Sequence, residues 1–221
     1  MPQQVAVVLP PQRPPGEALR ILPSQFLALK RVCDVVLSAA ALIVLAPLLL
    51  GVAVAIKATS PGPVFYRQER MGKDGRHFWM WKFRTMRVGA DAELDSLQAG
   101  NSRAGIGFKL RGDPRVTPVG RFLRKTAIDE LPQLVNILAG DMAIVGPRPL
   151  PIYEAVRCTP EQDARLAVRP GLTCFWQVVK DVDFDERMRM DVSYVHRMGI
   201  RVDALLIWRT ILFLAHGKGD T

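Results

Sequence analysis

The stretch VVLSAAALIVLAPLLLGVAVAI, Val35 to Ile56, decides how this chain folds. It contains no charged residue. As a helix rising 1.5 Å per residue it would reach about 33 Å, enough for a hydrocarbon core of about 30 Å. A soluble core helix of this length normally keeps a polar face, which this stretch lacks. The stretch therefore predicts insertion into a membrane rather than burial in a soluble core.

A proline near the middle predicts that this membrane helix is broken. Pro47, preceded by Ala46, removes a backbone hydrogen bond and bends the helix. In water such a proline destabilises a helix by about 3 kcal/mol. Basic residues favour the cytoplasmic side; they precede the stretch at Lys30 and Arg31 and also follow it. We therefore predict a re-entrant helix-break-helix hairpin over residues 30–57, with both ends on the cytoplasmic face. A straight span is the alternative, and it too leaves the more basic C-terminal bulk in the cytoplasm.

Composition limits the remaining possibilities. The chain has 221 residues and 30 Lys+Arg against 21 Asp+Glu, a net charge of +9. With 49% hydrophobic and 23% charged residues it is not a disordered chain, and it has too few apolar stretches for a polytopic membrane protein. Three widely spaced cysteines exclude a disulfide scaffold and a CxxC zinc site. The basic excess suits nucleic acid, anionic lipid heads or phosphorylated small molecules.

The predicted fold is mixed α/β and mostly helical. A flexible, proline-rich tail occupies residues 1–29, and a small membrane-associated cytoplasmic domain occupies residues 58–221. Turn residues at 72–75 divide residues 60–83 into a hairpin, and residues 89–106 read as a loop or short helix. The periodicity predicts three further helices, the last of them amphipathic and interfacial: residues 129–139 (ending at Gly140), 185–198 and 203–215.

One acidic pair, Asp129-Glu130 in RFLRKTAIDELPQL, follows a basic cluster. Pro132 is tolerated only in the first turn of a helix, so Asp129 is predicted as the N-cap. At that position the helix dipole favours an ionised carboxylate and also a bound phosphate. Ordinary capping and catalysis are both compatible with this spacing.

Two proline-punctuated loops each carry an arginine. Arg148 lies between Pro147 and Pro149 in GDMAIVGPRPLP, so its backbone is restricted on both sides. A guanidinium presented in this way suits bidentate phosphate binding. Arg169 opens RPGLTCFWQV, where Gln177 follows an aromatic residue. For Arg148 the alternative is a rigid loop with an exposed arginine. The segment from Arg169 could lie against a base or a sugar, and a packed turn is the alternative there.

Together these blocks resemble the bacterial sugar transferases, the monotopic phosphoglycosyl transferases that start exopolysaccharide or lipopolysaccharide assembly. The resemblance covers about residues 30–215. The matching blocks are KRVCD, the proline-broken apolar helix, SPGPVFYRQERMGKDG, FWMWKFRTM, DPRVTPVGRFLRKTAIDELPQLVNILAGDMAIVGPRP, VRPGLT and DVSYV.

The resemblance implies a reaction and a site. Hexose 1-phosphate would pass from a UDP-sugar to undecaprenyl phosphate with release of UMP and use of Mg²⁺. Asp129 would be the nucleophile and Glu130 the magnesium ligand. The phosphate- and substrate-binding residues would be Lys82, Arg124, Arg148 and Arg169. The protein would sit in the bacterial inner membrane with its catalytic domain on the cytoplasmic face.

The sequence departs from the family pattern at two places. Ala46-Pro47 stands where Ser-Pro is common at the membrane break, and Val178 to Asp181 replaces a Gly-Arg turn after Gln177. The implied partners are membrane lipid and the two substrates, not nucleic acid; a homo-oligomer and the identity of the sugar stay open. Two other functions remain alternatives: a membrane-tethered basic binding module and a membrane-bound phosphohydrolase.

Overall fold

The computed structural model describes residues 24–93, 110, 112–179 and 182–215. Helices and short strands follow one another along the chain, with several short 3₁₀ turns between them. They are α1 (Ser24–Thr59), β1 (Phe65–Met71), β2 (His77–Phe83), α2 (Pro118–Thr126), α3 (Gln133–Ala139), β3 (Ala143–Val145), α4 (Ile152–Ala155), β4 (Gly171–Thr173), α5 (Phe184–Arg197) and α6 (Ile200–Ala215).

The long helix α1 is the apolar segment predicted to enter the membrane. It begins at Ser24 instead of residue 30, because Pro23 is the last proline of the tail and nothing after it opposes a helix. It is one continuous helix with Pro47 inside, so the re-entrant break stays a prediction. It is long and apolar enough to cross a membrane and exposes side chains such as Val44, at 76%. The rest of the predicted tail, residues 1–23, lies outside the described residues.

The N-terminal end of α1 is tied to the domain by its basic pair. The Nζ of Lys30 donates to Asp203 Oδ2 at 2.6 Å. The guanidinium of Arg31 donates to the backbone oxygens of Ile137 at 2.5 Å and Leu138 at 3.0 Å, near the end of α3. The Ile137 carbonyl also accepts from the Gly140 amide at 3.1 Å, so the arginine adds a second donor at this helix end and complements the helix dipole.

The C-terminal end of α1 packs on the same domain. Val52 and Ile56 are buried in one cluster with Phe83 of β2 and Leu123 of α2. Between the two ends, Ala41 and Leu42 pack against the buried cluster that contains Phe78 and Leu134. One side of the apolar helix therefore contacts a single folded unit at both ends and in between, and the other side exposes apolar side chains.

The hairpin predicted over residues 60–83 is present. β1 and β2 pair antiparallel, with Phe65 opposite Phe83 and Met71 opposite His77. The turn needs positive φ values, and Asp74 and Gly75 supply them at 56° and 73°. A second, parallel pair joins β3 to β4. The sheet content is small, which confirms a mixed and mostly helical fold.

The prediction that Asp129 caps a helix is wrong. Helix α2 ends at Thr126, Ala127 adopts a left-handed conformation with φ of 54°, and residues 128–130 form a 3₁₀ turn. Helix α3 begins at Gln133 with Pro132 as its N-cap. The proline does sit where no intrahelical bond is lost, but the preceding turn is closed by i→i+3 bonds, so the helix starts four residues later than predicted.

The other helix predictions hold. Helix α3 ends at Gly140, which has φ of 98°. Helix α5 spans Phe184–Arg197, capped by the Asp183 side chain, and α6 spans Ile200–Ala215. The segment predicted as loop or short helix forms a 3₁₀ turn at Ala90–Glu93, and its remainder lies outside the described residues. Helix α6 exposes large apolar side chains, among them Trp208 at 58%, and its membrane contact stays a prediction.

Candidate active site

The acidic pair lies on the 3₁₀ turn between α2 and α3, facing the edge of the hairpin. Asp129 is 8% exposed. Glu130 is partly exposed as a whole residue, but only 12% of its side chain is exposed. The left-handed Ala127 reverses the chain after α2 and turns both carboxylates toward β2 and the loop that follows β3. The sequence-predicted pair therefore occupies the centre of a group of cationic side chains.

Glu130 is held between two cations. Its Oε1 accepts from Lys82 Nζ at 2.8 Å and from Arg148 Nη2 at 2.5 Å. Its Oε2 accepts a longer bond of 3.3 Å from Arg148 Nη1. Burial alone would raise the pKa of Glu130, but the charges of Arg148 and Lys82 outweigh it and hold this pKa well below its ordinary value. Glu130 is therefore a fixed carboxylate.

Asp129 has the opposite balance. Burial raises its pKa to about 6, with Lys82 the largest opposing influence and the neighbouring Glu130 adding to the rise. Arg124 and Arg148 also favour its ionised form. The two adjacent carboxyl groups thus differ strongly in basicity, the pattern by which a site divides roles between paired acids.

Arg124 is positioned by a close contact between α2 and the chain after β2. Its Nε donates to Thr85 Oγ1 at 3.0 Å. At Gly120, one turn earlier, an added Cβ would lie 2.0 Å from the Thr85 carbonyl oxygen, so only glycine permits this approach. Thr117 caps the helix by accepting from the Gly120 amide at 2.9 Å.

Arg169 stands apart from these contacts. It is exposed, and its Nε donates to the Gly140 carbonyl oxygen at 2.8 Å, at the C-terminal end of α3. It lines a cleft together with Lys30 and Arg31, on the side where α1 joins the domain. The structure gives it a structural contact at this helix end, and its role toward substrate stays a prediction.

Sequence reasoning missed the residues that hold the Arg148 loop. Arg165 and Asp191 are 2% and 1% exposed and form an ion pair at 3.0 Å. The signal was present in α5: Asp191 falls three residues from Met188 and from Tyr194, on the buried face of the helix. A carboxylate on an apolar stripe marks a buried partner, because an unpaired buried charge is too costly to retain.

The donor chemistry of the acidic pair fits a magnesium ion. Mg²⁺ usually takes one or two carboxylates and completes its shell with water and substrate phosphates. Asp129 and Glu130 supply two carboxylates, and Glu130 Oε2 carries the longer of the bonds from Arg148. Within the described ranges, no cluster of three or more His, Cys, Asp or Glu residues offers a self-sufficient metal site.

Comparison with known proteins agrees with the sequence resemblance. Residues 25–217 match the family described as bacterial sugar transferase. The chain belongs to the bacterial sugar transferase family. The matched residues include nearly all of α1, the hairpin and the cationic residues around the acidic pair.

Three relatives illustrate what this sugar transferase is similar to in sequence. It is 42% identical over 161 residues to the galactosyl transferase CpsE of Streptococcus agalactiae, covering 72% of this chain and 36% of that protein. It is 40% identical to an undecaprenyl-phosphate galactose phosphotransferase of Salmonella typhimurium, covering 82% and 39%. It is 39% identical to the exopolysaccharide production protein ExoY of Sinorhizobium fredii, covering 86% and 87%. The chain thus spans about two fifths of the first two relatives and most of the third.

Proposed function

We propose that this sugar transferase moves hexose 1-phosphate from a UDP-sugar to undecaprenyl phosphate, with release of UMP and a covalent intermediate on Asp129. This is the first membrane step of exopolysaccharide or lipopolysaccharide assembly. The names of its relatives support the substrate class. The observation that carries the proposal is a buried, basic carboxylate beside a fixed one, both facing Lys82 and Arg148.

The reaction consists of two displacements at one phosphorus. A carboxylate oxygen of Asp129 attacks the phosphorus that bears the sugar, and the bond to the UMP oxygen breaks, with UMP taking the electron pair. A phosphate oxygen of the lipid acceptor then attacks the same phosphorus and restores the carboxylate. No net proton transfer is needed in either step. A covalent carboxylate intermediate splits one difficult exchange into two easier ones.

The two carboxyl groups are not interchangeable in this scheme. Both oxygens of Glu130 accept hydrogen bonds from cations, which lowers its basicity and its nucleophilicity. Asp129, with a pKa of about 6, is mostly ionised at neutral pH. Its carboxylate is buried and poorly hydrated, which makes it more basic than an exposed aspartate. We therefore assign attack to Asp129 and charge organisation to Glu130.

The cations meet the electrostatic demand of the reaction. Both substrates are anionic at the reacting centre, so their approach requires positive charge. Lys82, Arg124 and Arg148 come from three separate elements and converge on the acidic pair. Glu130 would hold a Mg²⁺ ion, which when bound would supply further screening of the diphosphate.

The contacts of α1 concern which face of the membrane carries the domain and therefore meets the lipid acceptor. Both ends of α1 contact the same domain, through Lys30 and Arg31 at one end and Val52 and Ile56 at the other. A domain cannot lie on both faces of a bilayer, so this contact supports a helix that enters and leaves through one face. We place that face on the cytoplasmic side of the inner membrane. UDP-sugars are available there, and the basic flanks favour it.

A trapping experiment tests the proposal. Purified protein in detergent micelles is incubated with Mg²⁺ and a UDP-sugar without acceptor, and peptide masses are measured after acid quenching. We expect a hexose-phosphate adduct on Asp129, UMP release in equal amount, and loss of both in Asp129→Asn. Asp74→Asn is the matched control, since Asp74 is exposed in the hairpin turn and asparagine tolerates its backbone conformation.

Other outcomes would replace the proposal. An adduct on another residue, or undiminished exchange in Asp129→Asn, would remove the nucleophile assignment. Steady release of free hexose 1-phosphate without a lipid acceptor would indicate a phosphohydrolase. Tight binding of anionic lipid with no UMP release from any UDP-sugar would indicate a binding module. A donor screen over UDP-glucose, UDP-galactose and N-acetylated UDP-sugars identifies the sugar.

A further inference from the structure

Arg148 must satisfy a demanding geometry. Its guanidinium contacts both oxygens of Glu130 while lying close enough to Asp129 to lower its pKa. An arginine side chain has several rotatable bonds and does not hold such a position unaided. Its neighbours Pro147 and Pro149 restrict the backbone but leave the side chain and the placement of the whole loop unspecified.

Two arginine side chains donate hydrogen bonds to the backbone of this loop. The carbonyl oxygen of Arg148 accepts from Arg165 Nη2, and the carbonyl oxygen of Pro149 accepts from Arg70 Nη1 at 2.8 Å. Because Pro147 and Pro149 have no N–H, these two residues donate no backbone hydrogen bonds. Backbone hydrogen bonds hold the loop on either side, where the Pro147 carbonyl accepts from the Gly171 amide and the Leu150 carbonyl accepts from the Met71 amide. The two guanidinium groups add attachments at Arg148 and Pro149 between them.

Asp191 holds Arg165 in this position. It lies on α5, is 1% exposed, and accepts from Arg165 Nη2 at 3.0 Å and Arg165 Nε at 3.2 Å. Burial raises the pKa of Asp191 to about 6, and the charge of Arg165 is the largest influence that lowers it. Through Arg165, one buried carboxylate thus connects α5 to the Arg148 loop.

Trp176 contacts the Arg148 side chain directly. The guanidinium carbon of Arg148 lies 5.7 Å from the centre of the Trp176 ring, and that of Arg187 lies 5.4 Å from it. Arginine stacks favourably on tryptophan at such distances. The ring therefore limits the swing of the Arg148 side chain, while the Arg165–Asp191 pair limits its backbone.

From these contacts we infer that Trp176 and Asp191 are positioning residues that hold the Arg148 guanidinium against Glu130 and aim it at a phosphate of the nucleotide donor. Asp191 acts on the backbone through Arg165, and Trp176 acts on the side chain by stacking. The inference rests on the proposed function, in which Arg148 binds phosphate. It assigns a role to one residue each of the DVSYV and RPGLTCFWQV blocks.

A double-mutant cycle on Trp176 and Arg148 tests the inference. UDP affinity is measured by calorimetry, and UMP release is measured at several UDP-sugar concentrations. We expect Trp176→Leu to weaken UDP binding and lower kcat/KM by about three- to tenfold, the size of one cation–π contact. Trp176→Phe, which keeps a ring, should recover part of the loss. In an Arg148→Ala background the same Trp176→Leu change should have less than about a twofold effect.

Controls separate positioning from folding. Trp79→Leu removes a ring that stacks on Arg67 at 5.9 Å outside the site, and we expect it to leave UDP affinity and rate within about twofold of the parent. Asp191→Asn should also lower UDP affinity in protein that remains folded. If that variant does not fold, Arg165→Lys tests the same link, since it keeps the charge but loses the fork that reaches both the carbonyl and the carboxylate.

The outcomes distinguish this inference from the proposed function. Equal effects of Trp176→Leu with and without Arg148 would overturn the positioning role, while a normal Asp129 adduct in the parent would leave the transferase intact. Absence of UDP binding in the parent protein would show that Arg148 is not part of a phosphate site, and both would fall.

Discussion

The environment of Asp129 predicts where the reaction loses activity in acid. The pKa of this carboxyl is raised by burial to about 6. In the proposed reaction, only its ionised form would attack phosphorus. At pH 7 about nine tenths of the protein would carry the reactive carboxylate, and at pH 5 about one tenth. The rate of adduct formation should therefore fall about tenfold between these two pH values, and the logarithm of the rate should fall by one per pH unit well below the pKa.

Replacing Lys82 should raise the pH at which adduct formation reaches half its maximal rate, the midpoint of the pH profile. Lys82 is the largest of the charges that lower the pKa of Asp129, so its removal makes the carboxyl hold its proton more strongly. An opposite charge at close range is worth about one pKa unit or more. In Lys82→Met the midpoint should therefore rise to near neutral pH. Glu130→Gln should shift it the other way, because Glu130 raises the pKa of Asp129.

The assay must isolate the first displacement. A lipid phosphate monoester titrates near pH 6 and would obscure the result, so UMP release is followed in a single turnover without acceptor, between pH 4.5 and 8.5. Lys125→Met is the matched control, since Lys125 is exposed in the last turn of α2, and its midpoint should equal that of the parent. A parent midpoint near pH 4, or a Lys82→Met midpoint at or below that of the parent, would refute the reasoning.

Three further predictions concern stability and topology. Gly120→Ala should lower the free energy of unfolding by about 1–3 kcal/mol, because the new Cβ collides with the Thr85 carbonyl. Asp191→Asn should lower it by about 3–5 kcal/mol, because a buried arginine loses its charge partner. Both are measured by denaturant unfolding. The exposed native cysteine, Cys33, is first replaced by serine. In that background, Ala28→Cys and Thr59→Cys should each react with a membrane-impermeant thiol reagent only from the cytoplasmic side.

Each of these has its own control or contrary result. Gly51→Ala, where nothing lies within 4 Å of the added Cβ, should not destabilise the protein. Glu186→Gln breaks an exposed ion pair with Arg189 and should cost less than about 1 kcal/mol. Equal losses in the paired variants would contradict the packing arguments. Labelling at residue 28 from outside the cell would show that α1 spans the bilayer.

Sequence reasoning located the candidate site but not its internal geometry. The acidic pair and Arg148 were identified because prolines and charges at fixed spacing restrict the local backbone. The start of α3 was misplaced by four residues, since a 3₁₀ turn and an α-helix tolerate the same proline and differ only in how the turn is closed. Asp191 was missed because its function depends on Arg165, a partner on a different element.

The sequence by itself determined the apolar anchor, the hairpin and the acidic pair downstream of a basic cluster. These follow from composition and from spacings of a few residues, which set local conformation and burial. Only the tertiary structure decided which cations face which carboxylate. Lys82 reaches Glu130 across 48 residues and Arg148 reaches it across 18, so both contacts depend on how separate elements pack. That packing lowers the pKa of Glu130 and raises the pKa of the adjacent Asp129.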